Sequence, residues 1–192
     1  AAAFAAVSQA TRLGYLRENT GDSVTGAAYP INLASGAPSF HFEQAARDTI
    51  DVRLVMKGGG SENVGCQYSL PDTELGAGRD LEGVRRCILD AVFRAQGNGC
   101  APGVLGVCIG GDRTSGSQCS KEQFLRRLDE PSPVAALAEL EARTLREVNE
   151  LGVGPMGLGG KNSVLAVKIG TLSRVPASFF VTISHMCWAF RR

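Results

Sequence analysis

NGCAPGVLGVCIGG, residues 98–111, contains a cysteine, a turn and an apolar run in immediate succession. Cys100 precedes a proline, the apolar run extends from Val104 to Ile109, and a glycine pair follows it. A short apolar run bounded by turn residues predicts a buried strand. The stretch therefore places a cysteine in the turn that leads into a strand of the core.

Three further blocks surround this stretch in the sequence. KGGGSEN occupies residues 57–63, LGVGPMGLGGKNSVLAVKI occupies residues 151–169, and HMCWAFRR, with Cys187, occupies residues 185–192. In order and approximate spacing, the four blocks resemble those of the alpha part of the iron–sulfur-dependent class I hydro-lyases, the fumarase and L-tartrate dehydratase family. The resemblance extends from about Ala5 to Arg192, which is nearly the whole chain.

The resemblance implies that Cys100 and Cys187 each donate a thiolate to a [4Fe-4S] cluster. In the family, a third cysteine belongs to a CQDTG motif upstream, and this chain contains no such motif. Three ligated irons leave the fourth iron open, where it can act as a Lewis acid in hydration chemistry. The resemblance also places the proton-transferring group on a beta domain or subunit. From the residues alone, the favoured interpretation is that both cysteines are buried apolar side chains, and the resemblance reverses that preference.

The glycine block KGGGSEN is the candidate substrate contact. Consecutive glycines after a predicted strand expose backbone N–H groups that can bind an anion, and Lys57 adds a positive charge. The resemblance favours contact with a small dicarboxylate through Gly60 and Asn63, with Ser61 contributing. A phosphate loop is disfavoured because the lysine precedes the glycines. A flexible hairpin end is the alternative.

Arg17 is the candidate clamp for a substrate carboxylate, because a guanidinium binds carboxylates bidentately. A solvated arginine at a helix end is the alternative. The family has a loop between this arginine and its NTG motif, whereas here Glu18 follows at once. We therefore predict that residues are missing between Arg17 and Glu18, in which case an intact mass would exceed 20.2 kDa.

Composition and net charge indicate which broad classes of protein this chain can belong to. A chain of 192 residues with a net charge of +1 gives no electrostatic reason to expect a nucleic acid or an acidic membrane partner. No apolar run approaches the roughly 20 residues of a membrane span, and the opening AAAFAAV lacks the basic start of a signal peptide. The six cysteines form no C-x-x-C pair, which disfavours a zinc module and predicts free thiols in a reducing cytoplasm.

The pattern of apolar residues predicts an α+β fold, with mixed strands and helices and glycine-rich loops around the cluster site, in one fumarase-type alpha domain over residues 1–192. Predicted helices cover residues 1–17, 80–94 and 134–151, with a fourth beginning at Ser120 on a capping-box pattern. Strand or strand-and-turn segments are predicted at residues 23–39, 48–56, 104–109, 163–169 and 178–184.

Several other residues are weighed against a catalytic role. The GxGxxG of residues 152–157 follows a predicted helix, which argues against a dinucleotide site. His185 could be a ligand, an acid–base group or a structural residue. The four remaining cysteines are predicted not to be ligands. Cys87 and Cys108 are predicted to belong to the core, and Cys119 to be exposed before a helix. Cys66 follows the glycine block and is also predicted not to be a ligand.

These observations favour reversible hydration of fumarate to L-malate. Dehydration of L-tartrate or another small hydroxy-dicarboxylate is the second possibility, because CWAFRR is closer to the tartrate dehydratase ending. A non-catalytic assembly subunit lacking the cluster is the alternative from a different class. The resemblance implies a beta subunit or C-terminal domain as partner, in a homodimer of alpha parts or a heterotetramer, and an oxygen-sensitive enzyme.

Overall fold

The computed structural model describes residues 1–44 and 48–190. Two compact units divide the chain, residues 1–52 and residues 53–192. Helices and a mixed β-sheet are both present, which confirms the predicted α+β class. Within the described ranges, no helix has the length and apolar composition needed to cross a membrane.

The first unit contains helix α1 (Ala2–Arg12) and two short antiparallel strands, β1 (Thr20–Gly21) and β2 (Ala28–Tyr29). The prediction of a helix through Arg17 was wrong. Gly14 adopts a left-handed φ of 77° just after the helix, a conformation that ends helices at low cost for glycine. The strand predicted within residues 23–39 is reduced to β2.

The prediction of a strand over residues 48–56 was also wrong, because these residues have no regular secondary structure. Apolar and polar side chains alternate there, as in a strand. However, Ile50 is 92% exposed and Val52 is 81% exposed, so the alternating apolar side chains do not face a core. Alternation alone does not supply the neighbouring strand that a sheet requires.

The second unit is built on a four-stranded sheet in the order β3-β6-β4-β5. Strand β4 runs parallel to β5 and antiparallel to β6, which in turn pairs with β3 in antiparallel orientation. The three long strands were predicted within a few residues of their ends, whereas β3 was not predicted. The strands are β3 (Cys66–Ser69), β4 (Gly103–Ile109), β5 (Val164–Thr171) and β6 (Phe180–Met186).

In the described part of this unit, residues 53–190, the α-helices are α2 (Gly59–Asn63), α3 (Leu81–Ala95), α4 (Arg113–Glu122) and α5 (Ala135–Glu150). Helices α3 and α5 pack on one face of the sheet through a single apolar cluster, and α4 packs on the other face. The predicted α3 and α5 are confirmed. Asp80 caps α3 by accepting a hydrogen bond from the Gly83 N–H at 2.7 Å.

The start of α4 was predicted at Ser120 and is in fact at Arg113. Asp112 caps the helix by accepting from the Ser115 N–H, and the Ser115 hydroxyl accepts from the Asp112 N–H at 2.9 Å. Ser120 lies inside the helix and is fully buried. Cys119, which was predicted to be exposed, is buried beside it.

A buried carboxylate joins α5 to the sheet on the side of the unit remote from the cysteine turn. Glu141 accepts a hydrogen bond from the Ile169 N–H at 2.7 Å and from the Ser132 N–H at 3.0 Å. Its other partner is the Arg126 guanidinium, also at 2.7 Å. Glu141 is 5% exposed, so three separate segments depend on one buried side chain.

Candidate functional site

Cys100 and Cys187 lie side by side at one edge of the sheet. Cys100 precedes β4 and Cys187 follows β6, and these neighbouring antiparallel strands pair Val104 with Met186. The Trp188 N–H donates to the Cys100 carbonyl oxygen at 3.5 Å. Both cysteines are half-buried. Burial raises the pKa of the Cys100 thiol, and the adjacent Cys187 sulfur raises it further.

The backbone at both cysteines has features typical of ligand sites. Cys100 has a left-handed φ of 62°, a conformation that non-glycine residues seldom adopt outside constrained sites. The Ala189 N–H donates to the Cys187 sulfur at 3.4 Å. An N–H donor of this kind stabilises a thiolate, which is the form that binds metal.

Two glycine-rich segments enclose the turn that carries Cys100. A Cβ atom at Gly99 would lie 2.8 Å from the Val64 side chain, next to the end of α2. A Cβ atom at Gly97 would lie 2.2 Å from the Met156 carbonyl oxygen. The Met156 N–H also donates to the Ala101 carbonyl oxygen at 2.9 Å. The four blocks singled out in the sequence therefore converge on one place.

The block KGGGSEN was predicted to be a loop and is instead largely the short helix α2, with Gly58 at its N-cap. Ser61 is buried, and its hydroxyl donates to the Gly58 carbonyl oxygen at 2.8 Å, so this donor is used within the helix. Gly60 and Asn63 are exposed. Of the predicted contacts in this helix, these two are accessible to a ligand.

Lys57 is nearly buried, with 11% of its side chain exposed. Burial lowers the pKa of Lys57, whereas its ion pair with Glu62, at 2.6 Å, acts in the opposite direction. Glu62 contacts Lys121 as well, also at 2.6 Å. Two ammonium groups thus share one carboxylate, which leaves a net positive charge beside α2.

His185 lies on β6 two residues before Cys187, and its imidazole is buried. Burial, and secondarily the charge of Lys57, lower the pKa of His185 to about 4. The imidazole is therefore neutral at pH 7. Its Nε2 atom has no hydrogen-bond partner among the described residues.

The remaining cysteines lie outside the two turns that carry Cys100 and Cys187. Cys87, Cys108 and Cys119 are buried, as predicted for the first two, and Cys66 pairs with Ile183 at the start of β3. Over residues 1–44 and 48–190, no three histidine, cysteine or acidic side chains are grouped in a way that could hold a metal ion. The described part of the site offers two thiols.

Arg17 belongs to the first unit and is exposed. The Asn32 side chain donates from Nδ2 to the Arg17 carbonyl oxygen at 2.7 Å, and its Oδ1 accepts from the Asn19 N–H at 2.9 Å. These bonds hold the backbone on both sides of Glu18. The substrate role of Arg17 and the predicted break after it both stay predictions.

A shallow apolar groove of about 690 Å³ borders the cysteine turn. Ala101, Pro102 and Met156 line it, together with Trp188, which follows Cys187 directly. Leu165 of β5 also lines the groove and is 39% exposed. The groove is a large apolar surface next to a polar thiol site.

Comparison with known proteins identifies the family. A family model described as "Fumarate hydratase (Fumerase)" matches residues 1–192. The chain belongs to the fumarate hydratase family. The resemblance inferred from the four sequence blocks is thereby confirmed.

Two relatives within the fumarate hydratase family show its range. A protein of Geobacillus stearothermophilus named "Putative fumarate hydratase class I" is 50% identical over 190 residues, covering 97% of this chain and 37% of the relative. The L(+)-tartrate dehydratase subunit alpha of Escherichia coli strain K12 is 31% identical over 188 residues, covering 97% of this chain and 60% of the relative. The chain thus spans less than two thirds of either relative.

Sequence reasoning missed the part that Gly97, Gly99 and Met156 play in this site. The spacing of the two glycines directly before Cys100 was the available signal. The sequence does not show which segment of the chain packs against each glycine. In the fold, both glycines permit close backbone approach, and Met156 fixes the turn through its N–H.

Gly97→Ala is expected to disrupt the site. The new methyl group would overlap the Met156 carbonyl, and overpacking of this kind costs about 1–3 kcal/mol. Gly59→Ala is the matched control, because a Cβ atom there meets nothing within 4 Å. Thermal unfolding checks both variants. An equal melting temperature in the two would show that the close approach at Gly97 is unimportant.

The rate of alkylation should differ among the cysteines of the folded, cluster-free protein. We expect iodoacetamide to modify Cys100 and Cys187 at least about tenfold faster than the three buried cysteines, because access limits the latter. Peptide mapping by mass spectrometry gives the rate at each position. Similar rates at all six cysteines would contradict the placement described here.

Proposed function

We propose that this chain is the cluster-binding part of a hydro-lyase that reversibly hydrates fumarate to L-malate. The observation that carries the proposal is the convergence of Cys100 and Cys187 at one sheet edge, enclosed by two glycine-rich segments. The chain's family and the name of its 50% identical relative support the choice of fumarate. Steady-state hydration of fumarate by the anaerobically prepared full-length protein, with its beta part, tests the proposal.

The two thiols fit part of a [4Fe-4S] site. They lie in contact, both reach solvent, and Cys187 receives an N–H donor. We propose Cys100 and Cys187 as two of the three cluster ligands, with the third outside the sequence described here. When bound, the cluster supplies an iron with an open position that polarises the oxygens of the substrate.

The residues of α2 and its surroundings are proposed to bind and orient the dicarboxylate. The first N–H groups of a helix have no intrahelical acceptor, which leaves the Gly60 N–H available to a carboxylate oxygen. Asn63 is exposed at the other end of α2 and offers an amide. The net positive charge of the Lys57–Glu62–Lys121 group favours an anion here. Ser61 supports the helix. Arg17, in the first unit, stays the proposed clamp for a substrate carboxylate.

Lys57→Met is expected to raise the KM for fumarate by about 10- to 100-fold, the usual effect of removing a charged hydrogen bond. Lys121→Met is the matched control, because Lys121 contacts the other oxygen of the Glu62 carboxylate and is 39% exposed, so that this substitution removes the same charge without removing the buried ammonium group. Steady-state kinetics on the full-length enzyme distinguish the two. Equal effects of both substitutions would show that only the charge of the group matters.

L-Tartrate is the second candidate substrate, since the Escherichia coli relative is named as a tartrate dehydratase subunit. The ratio of kcat/KM for the two substrates decides between them. A value for fumarate at least tenfold higher would support the first candidate. Loss of both activities in a protein that also binds no iron would support the assembly-subunit alternative.

A beta subunit or C-terminal domain is proposed as the partner. The name "subunit alpha" of the tartrate dehydratase relative, and the share of each relative that this chain covers, support a second part. A homodimer of alpha parts or a heterotetramer stays a prediction. All six cysteines are free, which suits the reducing cytoplasm that we propose as the compartment.

A further inference from the structure

A small cavity lies beneath the turn that carries Cys100. Its volume is about 10 Å³, measured as the space open to the centre of a water molecule. The end of α3, the cysteine turn, the residue before β5 and His185 line it. A space of this size is at the lower limit for one buried water molecule, which also needs two to four polar partners.

Two polar side chains at this cavity have unused hydrogen-bonding capacity. His185 is 8% exposed, and its Nε2 atom has no partner among the described residues. Ser163 accepts at Oγ from the Gly154 N–H at 2.9 Å, but among residues 1–44 and 48–190 its hydroxyl hydrogen has no acceptor. Buried polar atoms in native proteins are almost always paired, and ordered water is the usual partner when no protein atom is in reach.

We propose that one water molecule fills this cavity and bridges His185 Nε2 and Ser163 Oγ. The water completes a chain of contacts from β6 to the cysteine turn. Ser163 holds the Gly154 N–H, Gly154 begins the turn that contains Met156, and the Met156 N–H holds the Ala101 carbonyl oxygen next to Cys100. His185 is thus a positioning residue for Cys100, acting through water and the glycine-rich turn.

The proposal requires the fold only, so it can be tested on cluster-free protein and separately from the proposed function. We expect His185→Leu and Ser163→Ala each to raise the rate of Cys100 alkylation about fivefold, the effect of losing one ordinary hydrogen bond. The double variant should match Ser163→Ala, because that substitution already removes the bridge together with the acceptor of the Gly154 N–H. Both should lower the melting temperature by about 3 °C.

Ser184→Ala is the matched control. Ser184 precedes His185 on β6, points to the opposite face of the sheet, and shares a buried hydrogen bond of 2.8 Å with Ser120. Its loss should affect stability without accelerating Cys100 alkylation. A Cys100 rate raised equally by Ser184→Ala would show that general loosening, and not the water bridge, controls the thiol.

If no water molecule occupies the cavity, the opposite change in melting temperature is expected. His185→Leu would then remove an unpaired buried polar atom, and the melting temperature would rise, with no change at Cys100. A high-resolution crystal structure of the unmodified protein provides an independent measurement. A solvent peak within hydrogen-bond distance of both His185 Nε2 and Ser163 Oγ is expected, and its absence would overturn the proposal even if the variants fail to fold.

Discussion

Cys187→Ser is expected to reduce iron incorporation from about four atoms per chain to less than one, and Cys100→Ser should do the same. Each substitution removes a thiolate from a pair that lies in contact, and a hydroxyl is a poor ligand for iron–sulfur clusters. Hydration activity should fall at least about 100-fold in consequence. Iron and sulfide analysis after anaerobic reconstitution of the full-length protein is the measurement.

Cys66→Ser is the matched control for these two substitutions. Cys66 is also a half-buried free thiol, but it lies at the start of β3 opposite Ile183 and packs against the apolar cluster beneath α3 and α5. Its replacement should leave iron content and activity unchanged. Loss of iron in Cys66→Ser, or normal iron in Cys100→Ser, would contradict the assignment of the ligands.

Glu141→Ala is expected to destabilise the second unit by about 3–5 kcal/mol, the cost of breaking a buried, hydrogen-bonded ion pair. The substitution leaves Arg126 without its carboxylate and leaves the N–H groups of Ile169 and Ser132 without an acceptor. The melting temperature should fall by about 10 °C. Thermal or urea unfolding of the cluster-free protein measures the change.

Glu139→Ala serves as the control on the same helix, because Glu139 is exposed two residues before Glu141. Surface substitutions usually change stability by about 0.5 kcal/mol or less. A similar melting temperature for the two variants would show that the buried network contributes little. The measurement concerns the fold and is independent of the proposed activity.

Much of the sheet could be predicted from local sequence. Strand β4 is an uninterrupted apolar run between turn residues, and all seven of its residues are buried. Helix α5 shows an apolar stripe, with Pro133 shortly before it and Gly152 shortly after it. Such segments are predictable because the order of their apolar and polar residues reflects which sides of the strand or helix are buried.

The errors arose where tertiary partners decide the structure. Residues 48–56 have the alternation of a strand without forming one. The start of α4 depends on the exchange of hydrogen bonds between Asp112 and Ser115, whereas the Ser120 pattern that suggested a start lies in the buried part of the helix. A capping-box pattern is short and occurs by chance inside helices.

The pairing of Cys100 with Cys187 illustrates the same limit. Family resemblance predicted both residues, but no local pattern places two distant cysteines together. The fold does so because β4 and β6 are neighbours, so the turn before one and the turn after the other meet. The contacts of Gly97 and Gly99 are likewise set by which segments pack around that turn.

The most direct test of the account is a crystal structure of the anaerobically reconstituted full-length protein, with data collected at the iron absorption edge. We expect one strong anomalous peak within bonding distance of both the Cys100 and Cys187 sulfurs. Iron density at another cysteine, or no iron beside this pair in a protein that hydrates fumarate, would contradict it.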